Sequence, residues 1–203
     1  MIDEKVMELL TAVKDGRISV EDAYERFRDV PFEDLEHTRV DHHRVLRKGI
    51  PEVIFGEGKT LSQLYDIVGS FRQKDLDVLV TRIDAGTGEA LLVRFPEGTY
   101  SGDARCFWVR RERPAEGKGM VLVMSAGTSD AKVAEEAYVA SIFFGNDTER
   151  LYDVGVAGIH RLLANLPILR RALAMLNSCS TVAVFNIDNG FGAAYFATLV
   201  NRL

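Results

Sequence analysis

The stretch that most restricts the fold is Met120-Val121-Leu122-Val123-Met124, five apolar residues without a break, followed at once by Ser125-Ala126-Gly127-Thr128-Ser129-Asp130. A run with no polar alternation fits a strand covered on both faces, as in a parallel sheet. After Asp130, apolar residues return at helical spacing through Val133, Ala134, Ala137, Val139, Ala140 and Phe143. The turn between strand and helix therefore faces a helix start. Free N–H groups and the helix dipole at such a start attract phosphate or carboxylate. Gly127 lets backbone approach a ligand closely, and Thr128 and Ser129 add hydroxyl donors. Asp130 would repel a bare phosphate; it fits a helix cap or an acceptor for a ribose hydroxyl. Taken by itself, the stretch is read as a capped turn that binds nothing.

The chain's 203 residues have room for one large or two small domains. A net charge of −5 gives no electrostatic case for nucleic acid or an anionic membrane. Cys106 and Cys179 are too few for a disulfide framework, which suits a reducing cytoplasm. The opening Met1-Ile2-Asp3-Glu4-Lys5 is charged and amphipathic rather than a signal peptide, so a cytoplasmic protein is expected. From Ala172 to Val200 the only charge is Asp188, yet Asn177, Ser178, Ser180, Asn186, Asn189 and Gly190 interrupt the run. A buried segment is expected there, and no membrane span.

Val6, Leu9, Leu10 and Val13 share one helical face, and Asp15-Gly16 ends that helix. Ser19 begins a second, short helix, with Asp22 completing an approximate capping box and Pro31 marking its end. Together they predict a helical hairpin suited to packing on a partner or on the rest of the chain. Residues 34–49 are the most polar stretch. His37, His42 and His43 there raise a metal and a metal-dependent hydrolase, but a solvated loop accounts for them better. The cations Arg44, Arg47, Lys48 and Lys59 suit anionic ligand groups.

Pro51–Gly56 reads as a strand leading into Gly56-Glu57-Gly58-Lys59-Thr60, which shares letters with a phosphate-binding P-loop but lacks its spacing. Thr60 is expected to cap a helix with Leu61, Leu64, Ile67, Val68 and Phe71 on one face. Strands over Asp77–Ile83 and Arg105–Val109 make residues 51–110 a small α/β unit. Cys106, among apolar neighbours, reads as a structural thiol. The charged, Pro- and Gly-bearing stretch 111–119 is the best domain boundary. Beyond it come the opening strand and helix, a helix over 157–171, a last strand Thr181–Ile187 and a terminal helix. That helix is apolar almost all round, so it needs cover on every side, most simply from another subunit.

Several of these stretches together resemble the LarB family. They are Asp41-His42-His43-Arg44 through Thr60, Ser125 through Asp130 with Ala134-Glu135-Glu136-Ala137, Tyr152 through Leu163, Leu173 through Cys179, and Asn186 through Ala193. The resemblance implies an α/β chain with three parts. Residues 1–30 form a helical hairpin and 31–112 a small α/β domain. Residues 119–203 form a parallel-sheet domain, flavodoxin- or Rossmann-like, that resembles PurE, the aminoimidazole ribonucleotide carboxylase. It further implies carboxylation of nicotinic acid adenine dinucleotide at C5 of its pyridinium ring, with cleavage of the phosphoanhydride. The products are AMP and a biscarboxylated mononucleotide, the first step toward the nickel-pincer cofactor of lactate racemase. Carbon dioxide or bicarbonate is the co-substrate, magnesium an assisting ion without a clear site, and a homo-octamer the implied assembly.

The implied chemistry needs a thiol. An electron-poor pyridinium ring cannot attack carbon dioxide; thiolate addition gives a neutral dihydropyridine with an enamine-like C5. The family's thiol corresponds to Cys179, in Asn177-Ser178-Cys179-Ser180. A helix C-terminus before it would raise its pKa, but the cationic ring could stabilise the thiolate. Read without the resemblance, Cys179 is first of all an inert buried thiol. PurE enzymes carry a histidine in the region of Asp153-Val154-Gly155-Val156-Ala157-Gly158, where this chain has none before His160. Ser125, Gly127, Thr128, Ser129 and Asp130 correspond to the ribose-phosphate turn. Asp153, His160, Asn177, Asp188 and Asn189 are further substrate-binding candidates. Charge suggests Arg44, Arg47 and Lys48 for the adenylate side.

One part of the family pattern is missing. After His160-Arg161-Leu162-Leu163, relatives continue through a strand, a helix and another strand, a unit of roughly 30 residues. Here Arg170-Arg171-Ala172 runs directly into Leu173-Ala174-Met175. Either the written chain omits that unit, which its intact flanks favour, or it is a true deletion. A deletion would leave a nucleotide-binding remnant without carboxylase activity.

Overall fold

Hydrophobic period and capping side chains set the local elements of this chain. The computed structural model describes residues 2–27, 33–34, 39–40, 50–111, 118–173 and 188–202. It forms two compact units, Met1–Glu52 with Thr60–Val78, and Val53–Lys59 with Leu79–Leu203.

In the first unit, α1 (Ile2–Lys14) and α2 (Val20–Phe27) form the expected hairpin. Asp22 N donates to Ser19 Oγ at 2.9 Å, closing the predicted cap. The short strands β1 (Glu33–Asp34) and β2 (Arg39–Val40) pair antiparallel within the stretch read as polar loop. Further on, α3 (Leu61–Gln73) opens on a reciprocal box. Gln63 N donates to Thr60 Oγ1 at 3.3 Å and Thr60 N to Gln63 Oε1 at 2.9 Å. Its Leu64, Ile67, Val68 and Phe71 are buried, as their spacing predicts.

A four-stranded sheet, in the second unit but for Val78, is formed by β3 (Val53–Phe55), β4 (Val78–Thr81), β5 (Thr99–Ser101) and β6 (Cys106–Val109). Its order is β3-β4-β6-β5, with β3 parallel to β4 and β5 antiparallel to β6. Every residue of β4 is buried. The P-loop letters have a structural explanation. A Cβ on Gly56 would lie 2.8 Å from the Thr81 carbonyl oxygen, so the glycine serves the contact with β4. The helix α4 (Ala85–Arg94) and β5 escape the sequence pattern. Gly86 and Gly88 weaken the helical signal, and three residues are too few to show alternation. The helix is nonetheless capped, Thr87 N donating to Asp84 Oδ1 at 2.8 Å. That bond holds the Asp84 carboxyl below its usual pKa.

The chain continues through β7 (Met120–Met124), a 3₁₀ turn at Thr128–Asp130, α5 (Ala131–Phe143) and β8 (Asp147–Leu151). After a 3₁₀ turn at Val156–Gly158 come α6 (Ile159–Ala164), α7 (Leu166–Leu173) and finally α8 (Gly190–Arg202). The strands β7 and β8 run parallel, from Met120 opposite Asp147 to Met124 opposite Leu151. Among the described residues this sheet has two strands, and β7 is half-buried rather than covered on both faces. The expected strand Thr181–Ile187 lies outside the described residues. The single helix expected over 157–171 divides at Asn165. Pro167 has no N–H to give and sits in the first turn of α7, where none is required.

Seating of α8 on α5 is close. A Cβ on Gly190 would lie 2.2 Å from the Val133 carbonyl oxygen. Phe144 meets Phe143, Phe191 and Tyr195 with ring centroids 5.8, 6.0 and 6.1 Å away. A buried polar chain fixes the far end. Asn146 Nδ2 donates to Thr198 Oγ1 at 2.7 Å and Asn201 Nδ2 to Asn146 Oδ1 at 2.9 Å. Asn201 also brackets Gly119, donating to its carbonyl and accepting from its N–H, each at 2.9 Å. Phe196, Leu199 and Val200 remain exposed on α8, the apolar surface for which cover was expected. Among the described residues no helix is long and apolar enough to cross a membrane.

Asn201→Ala strips partners from Gly119 and Asn146 together, and should cost about 2–3 kcal/mol in a denaturant titration. Cys106 is fully buried on β6, and burial, followed by the charge of Glu136, pushes its thiol up to about 12. Iodoacetamide at pH 8 should leave Cys106 unmodified in the native protein and alkylate it in denaturant, read by peptide mass spectrometry.

Candidate functional site

The β7–β8 ladder continues past both strands. Ser125 N donates to the Leu151 carbonyl at 3.3 Å, Val154 N to Ser125 at 3.1 Å and Gly155 N to Ala126 at 3.0 Å. The turns 125–130 and 152–158 therefore run side by side at the carboxyl ends of two parallel strands, where open α/β sheets hold ligands. Asp153 adopts a left-handed φ of 58°. Arg161 Nη1 donates to its carbonyl at 3.0 Å and also pairs with its carboxylate.

Within the opening turn, Gly127 N donates to Asp130 Oδ2 at 3.2 Å, and Asp130 N returns a bond to the Gly127 carbonyl at 3.1 Å. Asp130 makes no side-chain cap to α5. The expected cap is thus replaced by a closed turn, in which the carboxylate occupies the Gly127 N–H that a phosphate would have used. Thr128 and Ser129 stay exposed on its rim.

Beside this turn lies a cavity of about 450 Å³. Its walls are Val121–Met124 of β7, Ala126, Val133, Ala134 and Ala137 of α5, and Gly190, Ala193, Ala194 and Ala197 of α8. Its polar groups come from Ser125, Asp130 and Asn189. An apolar volume of this size with a few convergent polar groups has the character of a small-molecule site. Ser125 is 8% exposed and its Oγ has no partner among the described residues, so a buried hydroxyl is open to a ligand or water. Asn189 Oδ1 accepts from Gly192 N at 2.8 Å, capping α8 while the residue lines the cavity.

Of the residues singled out from sequence, Ser125, Asp130 and Asn189 converge on this cavity. Gly127, Thr128 and Ser129 share its turn, Asp153 lies on the adjoining one, and Asp188 directly precedes Asn189. His160 is exposed in the first turn of α6 and does not line the cavity. Cys179 and Asn177, like Arg44, Arg47, Lys48, His37, His42 and His43, lie outside the described residues. Among the described residues no three His, Cys, Asp or Glu groups are placed to hold a metal.

The structure adds a pair for which the sequence suggested no role. Glu136 is 4% exposed on α5, with its Oε1 3.4 Å from Arg82 Nε. Burial raises the Glu136 carboxyl pKa, while the Arg82 charge pulls it back. Arg82 Nη2 also donates to the Asp188 carbonyl. A signal was present: Glu136 falls between Ala134, Ala137 and Ala140, and a charge inside an apolar stripe needs a partner.

Comparison with known proteins adds two findings. Residues 32–112 match the LarB/PurE-like N-terminal domain. The chain is also 28% identical to an uncharacterized protein of Methanocaldococcus jannaschii, over 251 aligned residues covering 98% of each chain. Those 251 positions exceed the 203 residues present, so the archaeal protein carries residues with no counterpart here. Over residues 32–112 the chain is thus similar to the LarB/PurE-like N-terminal domain.

Proposed function

We propose that the chain carboxylates the pyridinium ring of nicotinic acid adenine dinucleotide at C5 and hydrolyses its phosphoanhydride. The products are pyridinium-3,5-biscarboxylic acid mononucleotide and AMP. The observation that carries this reading is the cavity at the ends of β7 and β8 in a chain bearing a LarB/PurE-like domain. Its Ser125 hydroxyl, without a partner among the described residues, can donate to a ligand oxygen, and Asp130 can accept from a ribose hydroxyl or face the cationic ring. Among the described residues that line the cavity, the polar ones are Ser125, Asp130 and Asn189. Arg44, Arg47 and Lys48 are assigned to the adenylate on charge alone.

Cys179 supplies the nucleophile in this reading. Its thiolate adds to the ring and the pyridinium charge is neutralised. The enamine-like C5 then attacks carbon dioxide, forming the new C–C bond. Loss of the C5 proton sends its electron pair into the ring, the thiolate leaves with the C–S pair, and aromaticity returns. Water cleaves the phosphoanhydride in a separate step. The reaction takes place in the cytoplasm, in a homo-octamer whose contacts include the apolar surface of α8.

A second reading is favoured by the surplus positions in the archaeal alignment. If the chain truly lacks a strand–helix–strand unit, it is a nucleotide-binding homologue without catalysis. Purified protein incubated with the dinucleotide and labelled bicarbonate separates the two. Mass spectrometry should find AMP and a labelled mononucleotide, both absent from Cys179→Ala. Binding without turnover selects the homologue; no binding and no turnover removes both.

A further inference from the structure

Three contacts converge on Arg82, the residue that follows β4. Its guanidinium lies 3.4 Å from the buried Glu136 carboxylate, donates to the Asp188 carbonyl, and sits over the Phe55 ring 5.6 Å from its centroid. Its backbone holds a left-handed φ of 57°. A long side chain accepts that conformation only where its surroundings hold it. Beside it, Ile83 N donates to the Arg105 carbonyl at 3.0 Å and Arg105 Nε returns a bond to the Ile83 carbonyl at 3.3 Å. The strand end that carries Arg82 is therefore clamped.

The far side of the link is the cavity. Asp188 is followed by Asn189, which lines the cavity and caps α8, and by Gly190, seated against the Val133 carbonyl. Neither Arg82, Glu136 nor Asp188 lines the cavity itself, and no residue of the β3-β4-β6-β5 sheet does.

We infer that Arg82 is a positioning residue: braced by Glu136, it holds the Asp188–Asn189 turn so that Asn189 is presented to the nucleotide in the cavity. The four-stranded sheet thereby sets the geometry of a site in which it has no lining residue. The role needs arginine. Its separated nitrogens bond a carboxylate and a carbonyl at once, whereas a lysine ammonium must choose. The functional half of the inference rests on the proposed nucleotide chemistry; the mechanical half does not.

The test uses the full chain with Arg82→Met, Arg82→Lys, Glu136→Gln and the double variant Arg82→Met/Glu136→Gln. Hydrogen exchange at residues 190–192 should quicken in Arg82→Met, with exchange in β7 unchanged, and this readout needs no activity. With nicotinic acid adenine dinucleotide, KM should rise about tenfold and kcat stay within about twofold, the loss of one charge-assisted bond to a turn outside the reacting atoms. Arg82→Lys should recover part of the KM. The double variant should match Arg82→Met, because Glu136 acts through Arg82. Unchanged exchange at residues 190–192 would overturn the inference, as would a fall in kcat at constant KM. Additive loss in the double variant would overturn the role given to Glu136. A wild-type chain that neither binds nor turns over the dinucleotide rejects the proposed function instead, and the exchange measurement still decides the tether.

Discussion

The seating of α8 on α5 is the contact on which the rest of the second unit depends. At one end it needs a residue without a Cβ, because Gly190 lies against the Val133 carbonyl at a distance no side chain tolerates. At the other, Asn146, Thr198 and Asn201 join α8 to the end of α5 and to Gly119, just before β7. Apolar burial around Phe143 and Phe144 supplies bulk attraction without fixing a register. The buried amides fix it, since any slip would leave them unpaired at a cost of about 1–3 kcal/mol each. The cavity is the space that this arrangement leaves beside β7.

Polar groups reach that space by a different route. Two turns stay paired after their strands have ended, so Ser125 is held at the cavity on backbone that would otherwise be loop. Asp130 closes the first turn on Gly127 and removes the N–H that made it look like a phosphate cradle. What remains is a buried hydroxyl without a partner among the described residues, a carboxylate and a capping amide. Such a set recognises hydroxyls and positive charge more readily than a bare anion.

The legible parts of the chain were those written by near neighbours. The Ser19 and Thr60 caps, the buried stripe of α3 and the start of α5 follow from residues within one helical turn. Pro167 announced the break between α6 and α7, yet the unbroken apolar pattern around it masked the signal. Helix α4 was lost because Gly86 and Gly88 lower propensity locally, while the contact that tolerates Gly88 is the Tyr100 ring across the sequence. In the site, Ser125, Asp130 and Asn189 were visible as residue types at a turn or a cap, whereas their convergence was not.

The sequence by itself determined the α/β character, the N-terminal hairpin, the capped α3 and the succession from β7 to α5, because periodicity and caps act over a few residues. Tertiary structure alone decided that Asp130 faces Gly127 rather than α5. It also joined Arg82, Glu136 and Asp188, which lie 54 and 106 residues from Arg82 along the chain. A buried carboxylate declares that it needs a partner, but only the folded backbone selects which distant cation can reach it.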